Sequence, residues 1–472
     1  MDLPPAFATQ PGPETKAHAV RASPQPPKPA PAKPTLNAEQ QRAVDLSLAG
    51  TSFFLTGEAG TGKSWSLETI IEQLKANGTE VAVTAATGLA ASQIGGSTLH
   101  AFAGIGLGND PIERLVASAK QERLRTRWSG VDTLIIDEVS MVDPVYWSKL
   151  QRVAQVARNN PREPFGGLQV IAVGDFFQLP PVAKPDHAQQ ARYCFETKAW
   201  QDTFHHVVNL TQVFRQKDGR FVALLNRARR GRLTPDDVAL LRNRLNVSFT
   251  AADGIEPTLL YPYNKKVQEE NQAALKKLPS KPRLYRMKTG STSVANGTTR
   301  LDLPDADRKK PMTPVEREAL KLRNNCPASQ ELLLKVGAQV MLLANLRPEA
   351  GLVNGSRGVV VGFDRHHYPV VRFAKCRATI QAFMWKTRLG DYGHVWASQI
   401  PLKLAYAYTI HKAQGQSMDR VKLRLVKTFE AGQGYVALSR VRTLEGLCLT
   451  GFNPEAIQVD PKVIAFYDAL EN

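Results

Sequence analysis

The chain has 472 residues, enough to bury several hydrophobic cores, and this length favours about two to four domains. Its 61 Lys and Arg residues outnumber its 43 Asp and Glu residues. The resulting net charge of +18 favours a polyanionic partner such as nucleic acid, with a solvated basic surface as the alternative. No apolar run has the length of a membrane-spanning helix and the amino terminus has no signal-peptide pattern, so we expect neither membrane insertion nor secretion.

The cysteines give no sign of a cross-linked or metal-bound scaffold. Cys194, Cys326, Cys376 and Cys448 are far apart and form no C-x-x-C pair. This spacing predicts neither a disulfide framework nor a zinc site, and it suits a reducing compartment. For a bacterial or phage source we expect a cytoplasmic, nucleoid-associated protein.

Residues 1–34 are rich in proline and hold almost no large apolar side chain. Such a segment cannot bury enough surface to offset its ordering entropy, so it predicts a disordered tail. The tail is only mildly basic, which leaves most of the positive charge on the folded body. A helix follows, with Asn37 as a candidate N-cap. Within it, the amide of Gln40 has the donor and acceptor needed to read an adenine edge, although a surface helix position is the alternative.

Residues 57–64 form a glycine-rich loop between an apolar run, 53–55, and a predicted helix. The loop consists of Gly57, Glu58, Ala59, Gly60, Thr61, Gly62, Lys63 and Ser64. Its backbone N–H groups are suited to surround phosphate oxygens, Lys63 to reach the β and γ phosphates, and the Ser64 hydroxyl to ligate Mg²⁺. The strand before it and the helix after it favour a nucleoside-triphosphate site over a structural glycine turn.

Three further apolar runs, 81–84, 133–136 and 169–173, read as buried parallel strands whose carboxyl ends meet in a ligand crevice. Asp137 and Glu138 follow the second run. Asp137 is a candidate Mg²⁺ ligand, and Glu138 can orient and deprotonate the attacking water. Gln178, just after the third run, is positioned to contact the γ-phosphate or that water.

Eight motifs, taken together and in order, resemble the Pif-type (petite integration frequency) DNA helicases of superfamily I, in the branch related to RecD. The motifs are GEAGTGKS at 57–64, AATGLAAS at 85–92, GGSTLHAFAGIG at 95–106, IIDEVSM at 135–141, GDFFQLPPV at 174–182, LTQVFRQ at 210–216, AYTIHKAQGQS at 407–417 and YVALSRVR at 435–442. The resemblance runs from about residue 36 to the end. It implies an α/β fold with two RecA-like P-loop domains, parallel sheets flanked by helices, and ATP between them.

The resemblance also implies roles for individual residues around ATP and Mg²⁺. Gln40 corresponds to the adenine-reading glutamine, Asp137 and Glu138 to the metal ligand and catalytic base, and Gln178 to the γ-phosphate sensor. Arg215 and Arg440 correspond to arginines that the second domain presents to the γ-phosphate. A guanidinium that neutralises transition-state charge only when the domains close would couple hydrolysis to domain movement.

Residues expected to contact DNA come from two segments of the family pattern. In the first, Thr87, Gly88 and Thr98 offer backbone and hydroxyl donors to phosphates, and His100 and Phe102 can stack on bases. Burial of Phe102 in the core is the alternative. In the second, the resemblance places His411 and Lys412 near the strand, while Gln414 and Gly415 link the DNA and ATP sites. For Lys412, an ordinary surface position is the alternative. The arginines at 227–232 fit either a phosphate-tracking face or solvated surface.

The expected domain division follows the family. It assigns 1–34 to the tail, 35–200 to the first RecA-like domain with a small wedge insertion at about 103–128, 201–275 and 402–472 to the second domain, and 276–401 to an inserted SH3-like β-barrel region. Short strands separated by turns support the barrel from the residues themselves. Residues 298–310 match nothing in this pattern.

The expected activity is that of an ATP-dependent 5′-to-3′ helicase, a monomeric motor that moves on single-stranded DNA and unwinds forked or tailed duplexes. RNA–DNA hybrids and G-quadruplexes are further candidate substrates, single-stranded-DNA-binding proteins are candidate partners, and replication, repair, recombination and telomere maintenance are candidate pathways. Two alternatives remain: a P-loop ATPase acting on a substrate other than nucleic acid, and a RecD-like subunit of a larger recombination complex.

Overall fold

The computed structural model describes residues 35–181, 192–214, 218–249, 254–262, 264–293, 297–301, 312–388 and 393–471. The predicted disordered tail, Arg215 and most of 298–310 lie outside these residues. Among the described helices, none combines the length and the apolar character needed to cross a membrane.

The first sheet is parallel throughout and confirms the predicted strands. Its members are β1 (Phe53–Gly57), β2 (Val81–Ala85), β3 (Ser97–Thr98), β4 (Thr133–Asp137), β5 (Gln169–Val173) and β6 (His206–Leu210). They lie in the order β3-β2-β4-β5-β1-β6. Every residue of β1 and β5 is buried, as expected for central strands covered by helices on both faces. Because β6 pairs with β1, this sheet extends past the domain boundary expected at residue 200.

Helices cover both faces of this sheet. They are α1 (Ala38–Leu48), α2 (Lys63–Ala76), α3 (Gly88–Gln93), α4 (Leu99–Ala103), α5 (Ile112–Ala119), α6 (Glu122–Ser129), α7 (Pro144–Ala157) and α8 (Lys198–Thr203). Asn37 caps α1 as predicted, in a capping box with Gln40. The segment expected to form a wedge contains α5 and α6, whose Leu115, Leu124 and Trp128 are buried in the first hydrophobic core.

After β6 the chain forms α9 (Gly219–Arg229), α10 (Pro235–Arg242), β7 (Thr258–Tyr261) and α11 (Asn264–Lys277). The arginines at 227–230, at the end of α9, pair with carboxylates of the fold, and a phosphate-tracking face here stays a prediction. Arg227 pairs with Asp237, Arg229 with Asp175 and Arg230 with Asp468. Three of the cations that the sequence left unassigned are therefore neutralised within the fold.

The region expected to be inserted forms three antiparallel sheets in the residues that the structure describes. Its elements are β8 (Arg283–Arg286), β9 (Lys288–Ser293), β10 (Gly297–Arg300), α12 (Pro314–Asn325), β11 (Glu331–Leu334), β12 (Gln339–Leu342), β13 (Arg357–Phe363), β14 (Pro369–Phe373), β15 (Arg377–Thr379), β16 (Phe383–Arg388), β17 (His394–Gln399) and β18 (Leu402–Leu404). The strand orders are β11-β8, β10-β9-β17-β16 and β15-β14-β13-β12-β18. The third sheet has a core of its own and reaches Leu404, just beyond the expected boundary at 401. The SH3-like form of this region stays a prediction.

The chain then completes a second parallel sheet. The remaining elements are β19 (Ala407–Thr409), α13 (Ile410–Ala413), β20 (Val421–Leu425), α14 (Gln433–Leu438), β21 (Leu447–Phe452) and α15 (Pro461–Glu471). The order of this sheet is β19-β7-β20-β21, and all its pairings are parallel. A second hydrophobic core packs around it.

The last helix, α15, packs on the first core although the expected division assigns it to the second domain. Val463 and Tyr467 are buried in that core. The ring of Phe466 stacks on Phe195 with centroids 4.2 Å apart, and the Tyr467 hydroxyl lies 2.7 Å from Thr56 Oγ1. Helix α15 is thus hydrogen-bonded to β1, the strand that precedes the glycine-rich loop.

A buried ion pair joins α9 to the loop after β5. Arg229 Nη2 lies 2.9 Å from Asp175 Oδ1, and both side chains are almost fully buried. The guanidinium carbon of Arg229 also lies 4.2 Å from the ring centroid of Phe177 and 4.9 Å from that of Tyr467. Planar stacking and bidentate bonding suit arginine and not lysine at this position.

We expect Arg229→Ala to lower the free energy of unfolding by about 3–5 kcal/mol, because it leaves the Asp175 carboxylate buried without its partner. Urea denaturation followed by tryptophan fluorescence measures the change. The control is Arg286→Ala, which removes an exposed pair with Glu331 and should cost about 1 kcal/mol or less. Equal losses in the two variants would contradict this account of the buried pair.

Candidate active site and nucleic-acid interface

A cleft of about 280 Å³ lies between the two parallel sheets, at the carboxyl ends of β1, β4 and β5. The first sheet contributes most of its predicted site residues, and the second contributes two of them. The residues that line the cleft are Ala59, Gly60, Gly62, Lys63, Ser64, Gln93, Asp137, Glu138, Gly174, Gln178, Phe214, Gly415 and Arg440. The structure therefore brings together residues that the sequence separates by almost four hundred positions.

The glycine-rich loop has the backbone geometry that its sequence predicts. Gly57 has φ +148°, and a Cβ atom there would lie 2.5 Å from the Leu210 carbonyl oxygen, so only glycine fits. Lys63 begins α2, and its Nζ donates to the carbonyl oxygens of Gly57 at 2.7 Å and Glu58 at 2.9 Å. The lysine thus lies folded across the loop, where its charge is available to a phosphate group.

Asp137 and Glu138 stand at the carboxyl end of β4. Asp137 Oδ1 accepts a hydrogen bond of 2.8 Å from the Glu138 N–H. Glu138 has a left-handed backbone conformation, with φ +53°, which is uncommon outside glycine and costs energy that functional sites often retain. Burial, reinforced by the nearby Glu138 charge, raises the pKa of Asp137 to about 7 against the opposing effects of that hydrogen bond and Lys63. Such a carboxylate favours a neighbouring cation, so the donor set of Ser64 and Asp137 fits Mg²⁺.

The two predicted glutamines are buried, Gln178 at the cleft and Gln40 beside Gly62. Gln178 lines the cleft and is 6% exposed, and its buried Oε1 has no hydrogen-bond partner among the described residues. Gln40 is 2% exposed, so the alternative of a surface helix position is wrong. Its Oε1 accepts from the Asn37 N–H, and its Nε2 lies 2.9 Å from the point that a Cβ at Gly62 would occupy. Its adenine-reading role stays a prediction.

Arg440 follows α14 and is 1% exposed at the wall of the cleft. Its Nε donates to the Val436 carbonyl oxygen at 2.8 Å, and its Nη1 to the carbonyl oxygens of Ala413 and Gln416, each at 3.3 Å. The guanidinium is therefore held by carbonyl oxygens of α14, of α13 and of the turn that follows α13. Its predicted companion, Arg215, lies outside the described residues.

Gln414 crosses the cleft to the predicted catalytic base. Its Nε2 donates to Glu138 Oε2 at 2.8 Å. We expected this residue both at the DNA surface and as a link to ATP; its side chain is 7% exposed and faces Glu138, while a DNA contact stays a prediction. The segment 413–416, defined here as the coupling segment, thus bonds to the predicted base and to Arg440 at once.

The predicted DNA contacts near β2 and β3 cluster at the carboxyl ends of these strands. Thr87 caps α3 and Thr98 caps α4, each accepting a hydrogen bond from a backbone N–H. Capping uses the hydroxyl oxygen as an acceptor and leaves its proton for a phosphate oxygen. A Cβ at Gly88 would lie 3.9 Å from Thr98 Cγ2 and 3.8 Å from the Asn325 carbonyl oxygen, so the end of α12 covers the same surface.

Both candidate stacking residues already have aromatic neighbours. The centroid of the His100 ring lies 4.5 Å from that of Tyr146. Phe102 meets Trp128 edge to face at 4.9 Å and packs against the first core, as the alternative to base stacking anticipated. Stacking of either ring on a base stays a prediction.

The second predicted DNA segment surrounds α13. Lys412 is exposed, and His411 is half-buried, with burial lowering its pKa. Sequence reasoning missed Lys403, whose Nζ lies 3.8 Å from the centroid of the Tyr408 ring. Burial, helped by the Lys412 charge, lowers the pKa of Lys403 to about 7. A phosphate group at this point would favour the charged form of Lys403.

Two further residues of the cleft were missed. Phe214 is 51% exposed, its N–H donates to the Gly60 carbonyl oxygen at 2.8 Å, and its ring lies 3.5 Å from the Cβ position at Gly62. Its place beside Arg215 in the LTQVFRQ motif was an available signal. Gln93 reaches the cleft from α3, and no local pattern marks it.

Comparison with known proteins agrees with this geometry. A family model described as PIF1-like helicase matches residues 35–235, and one described as DNA helicase Pif1, 2B domain matches residues 319–363. The ATP-dependent DNA helicase PIF1 of Xenopus laevis is 40% identical over 458 residues, which cover 96% of this chain and 67% of that protein. The human protein of the same name is matched over 64% of its length, so the chain spans about two thirds of these relatives.

Solved structures give the same result. The crystal structure of Pif1 helicase from Candida albicans is 36% identical, with a TM-score of 0.73, and the match covers 93% of this chain and all of that one. Pif1 helicase from Bacteroides in complex with ADP-AlF3 and ssDNA is 29% identical, with a TM-score of 0.63, over 93% and 98% of the two chains. Two parallel α/β sheets facing one triphosphate cleft, together with these matches, identify the chain as a member of the family of PIF1-like helicases.

Proposed function

We propose that the protein is an ATP-dependent DNA helicase that moves 5′ to 3′ on single-stranded DNA and unwinds forked or tailed duplexes. The observation that carries this proposal is the coupling segment. It follows His411 and Lys412 directly, and it bonds to both Glu138 and Arg440. DNA bound at α13 would therefore act on the hydrolytic groups through a path of a few residues. The relatives named helicases, and the Bacteroides structure with ADP-AlF3 and ssDNA, support the same reading.

In this proposal each residue of the cleft has a separate role in the hydrolysis of ATP. The glycine-rich loop and Lys63 bind the phosphates, Glu138 accepts the proton of the attacking water, and Gln178 orients that water. Arg440, together with Arg215, neutralises the charge that develops on the γ-phosphoryl group. Mg²⁺, bound by Ser64 and Asp137, would supply Lewis-acid stabilisation of the phosphate oxygens.

Movement along DNA follows from a cleft shared by two sheets. Opening and closing of the cleft changes the distance between Thr87 and Thr98 on one side and Lys412 on the other. Contacts of hydroxyl, amide and ammonium groups with phosphates carry no sequence information, so the motor would act on any sequence. Most of the excess positive charge lies in residues 276–401, and we therefore expect DNA affinity to fall steeply as salt rises.

Four further expectations stay predictions. They are the division into two RecA-like domains and an insertion, the monomeric state, the contacts with single-stranded-DNA-binding proteins, and the compartment.

The decisive experiment measures ATP hydrolysis with and without single-stranded DNA, then unwinding of duplexes that carry only a 5′ tail or only a 3′ tail. We expect stimulation by the single strand and unwinding from the 5′ tail. A rate indifferent to DNA would refute the helicase proposal. Unwinding from the 3′ tail alone would refute the polarity and leave the helicase activity standing.

Lys63→Ala should reduce ATP hydrolysis by about a hundredfold or more, since it removes a charge from the phosphates in the transition state. Binding to single-stranded DNA, measured by fluorescence anisotropy without nucleotide, should change by about twofold or less. Lys149→Ala is the matched control, because Lys149 Nζ also bridges two carbonyl oxygens, those of Gly108 and Asp110, but lies outside the cleft. Normal turnover in Lys63→Ala would contradict the site assignment.

Gln414→Ala should lower the ratio of DNA-stimulated to basal ATP hydrolysis by about tenfold, the effect of losing one hydrogen bond to a charged group. The basal rate without DNA is the internal reference. Gln416→Ala serves as the control, since Gln416 lies in the same segment and its side-chain amide makes no hydrogen bond within the described part of the chain. A Gln414→Ala protein that keeps the parental ratio would remove this residue from the coupling route.

A further inference from the structure

Helix α14 touches the glycine-rich loop at a place that none of the predicted roles explains. The buried hydroxyl of Tyr435 accepts a hydrogen bond of 2.9 Å from the Ala59 N–H. Most of the amides in such a loop serve the phosphates, but this one is directed away from them, into the second core. The Ala59 methyl group is packed in that core as well. One residue of the loop is therefore held by the opposite sheet through both its backbone and its side chain.

The same helix touches the predicted γ-phosphate sensor. Gly432 precedes α14, and a Cβ there would lie 2.5 Å from the carbonyl oxygens of both Phe177 and Gln178. A side chain at this position would force the helix away from the sensor, and the left-handed φ of +79° also requires glycine. Leu179, next to the sensor, is buried in the second core. The start of α14 is thus fitted closely against the segment that carries Gln178.

At its other end, α14 leads directly into Arg440. The Arg440 Nε donates to the carbonyl oxygen of Val436 inside the helix, at 2.8 Å, so the guanidinium and the helix move as one unit. Tyr435 and Arg440 are separated by about one and a half helical turns. The short helix α14 therefore contacts the glycine-rich loop and the segment that carries Gln178, and it leads into Arg440, the arginine proposed to act on the γ-phosphate.

We infer that Tyr435 is a positioning residue, whose hydroxyl ties the Ala59 amide of the phosphate loop to α14 so that nucleotide binding in the loop and the placement of Arg440 change together. The inference rests on the proposed function, since it concerns how nucleotide and DNA act on each other. Removing the hydroxyl leaves the Ala59 N–H buried without an acceptor and frees α14 from the loop. The ring that fills the core is retained in Tyr435→Phe.

The test measures the dissociation constant of single-stranded DNA with and without ADP-aluminium fluoride, in the full chain and in Tyr435→Phe. In the full chain we expect the dissociation constant of DNA to differ with and without the nucleotide. In Tyr435→Phe the ratio of these two constants should be closer to one, by about fivefold or more. By linkage, DNA must change nucleotide affinity by the same factor, which provides an internal check. A purely structural role would lower the melting temperature and leave the ratio unchanged.

Tyr193→Phe is the matched control. Tyr193 is equally buried and its hydroxyl donates one hydrogen bond of 3.1 Å to Asp460, but it does not touch the loop. This variant should keep the parental ratio, and a matching loss in both variants would overturn the inference. If the nucleotide does not change the DNA affinity of the full chain, the proposed function is refuted. If the nucleotide does change it, and Tyr435→Phe has the same ratio as the full chain, only the role of Tyr435 is refuted.

A second measurement does not depend on the folding of a variant. Hydrogen–deuterium exchange in the full chain, followed on the peptide that contains residues 57–62, should change when single-stranded DNA is added without nucleotide. The Ala59 amide reports directly on its bond to Tyr435. Unchanged exchange in this peptide, with DNA bound, would overturn the connection between α14 and the loop.

Discussion

The hydrogen bond between Gln414 and Glu138 is the interaction on which the arrangement of the cleft depends. A carboxylate beside the carboxyl end of a buried strand is costly unless donors compensate for the water it loses. Here the compensating amide comes from the other sheet, 276 residues further along the chain. The orientation of the Glu138 side chain is therefore linked to the distance between two separately packed sheets. In the proposed function, the reaction at Glu138 would therefore depend on the separation of the sheets.

Arg440 shows the same dependence from the opposite side. A buried guanidinium is costly unless its N–H groups donate to nearby acceptors. In this structure several of them donate to carbonyl oxygens of α14 and the coupling segment. A γ-phosphate can attract Arg440 only by replacing some of these bonds. That exchange shifts the groups that were holding it, including the two residues that flank Gln414 and Gly415. In the proposed function, competition for the five donors of Arg440 would connect hydrolysis with the position of α13.

The sequence predicted those features whose causes are local. Glycine spacing and an apolar run were enough to predict the phosphate loop, and that loop together with a carboxylate pair at a strand end indicated Asp137 and Glu138. Features that depend on long-range packing could not be predicted in this way. Nothing in the composition of α15 shows that Tyr467 is buried in the first core. Nothing in the neighbouring sequence indicates that Gln93 lies at the cleft or that Tyr435 contacts the glycine-rich loop. Gln414 illustrates both cases, since its motif was recognisable and its partner was not.

The inserted region is joined to the coupling segment without a flexible linker. Strand β18 ends at Leu404 and β19 begins at Ala407, and the residues between them are bonded, with the Ala405 N–H donating to the Gln339 carbonyl oxygen and the Tyr406 N–H to Asn271 Oδ1. Chain held in this way transmits displacement, whereas a polar flexible loop would absorb it. Only nine residues lie between Leu404 and Gln414. The path from the five-stranded sheet to the bond with Glu138 therefore runs through structured, hydrogen-bonded backbone.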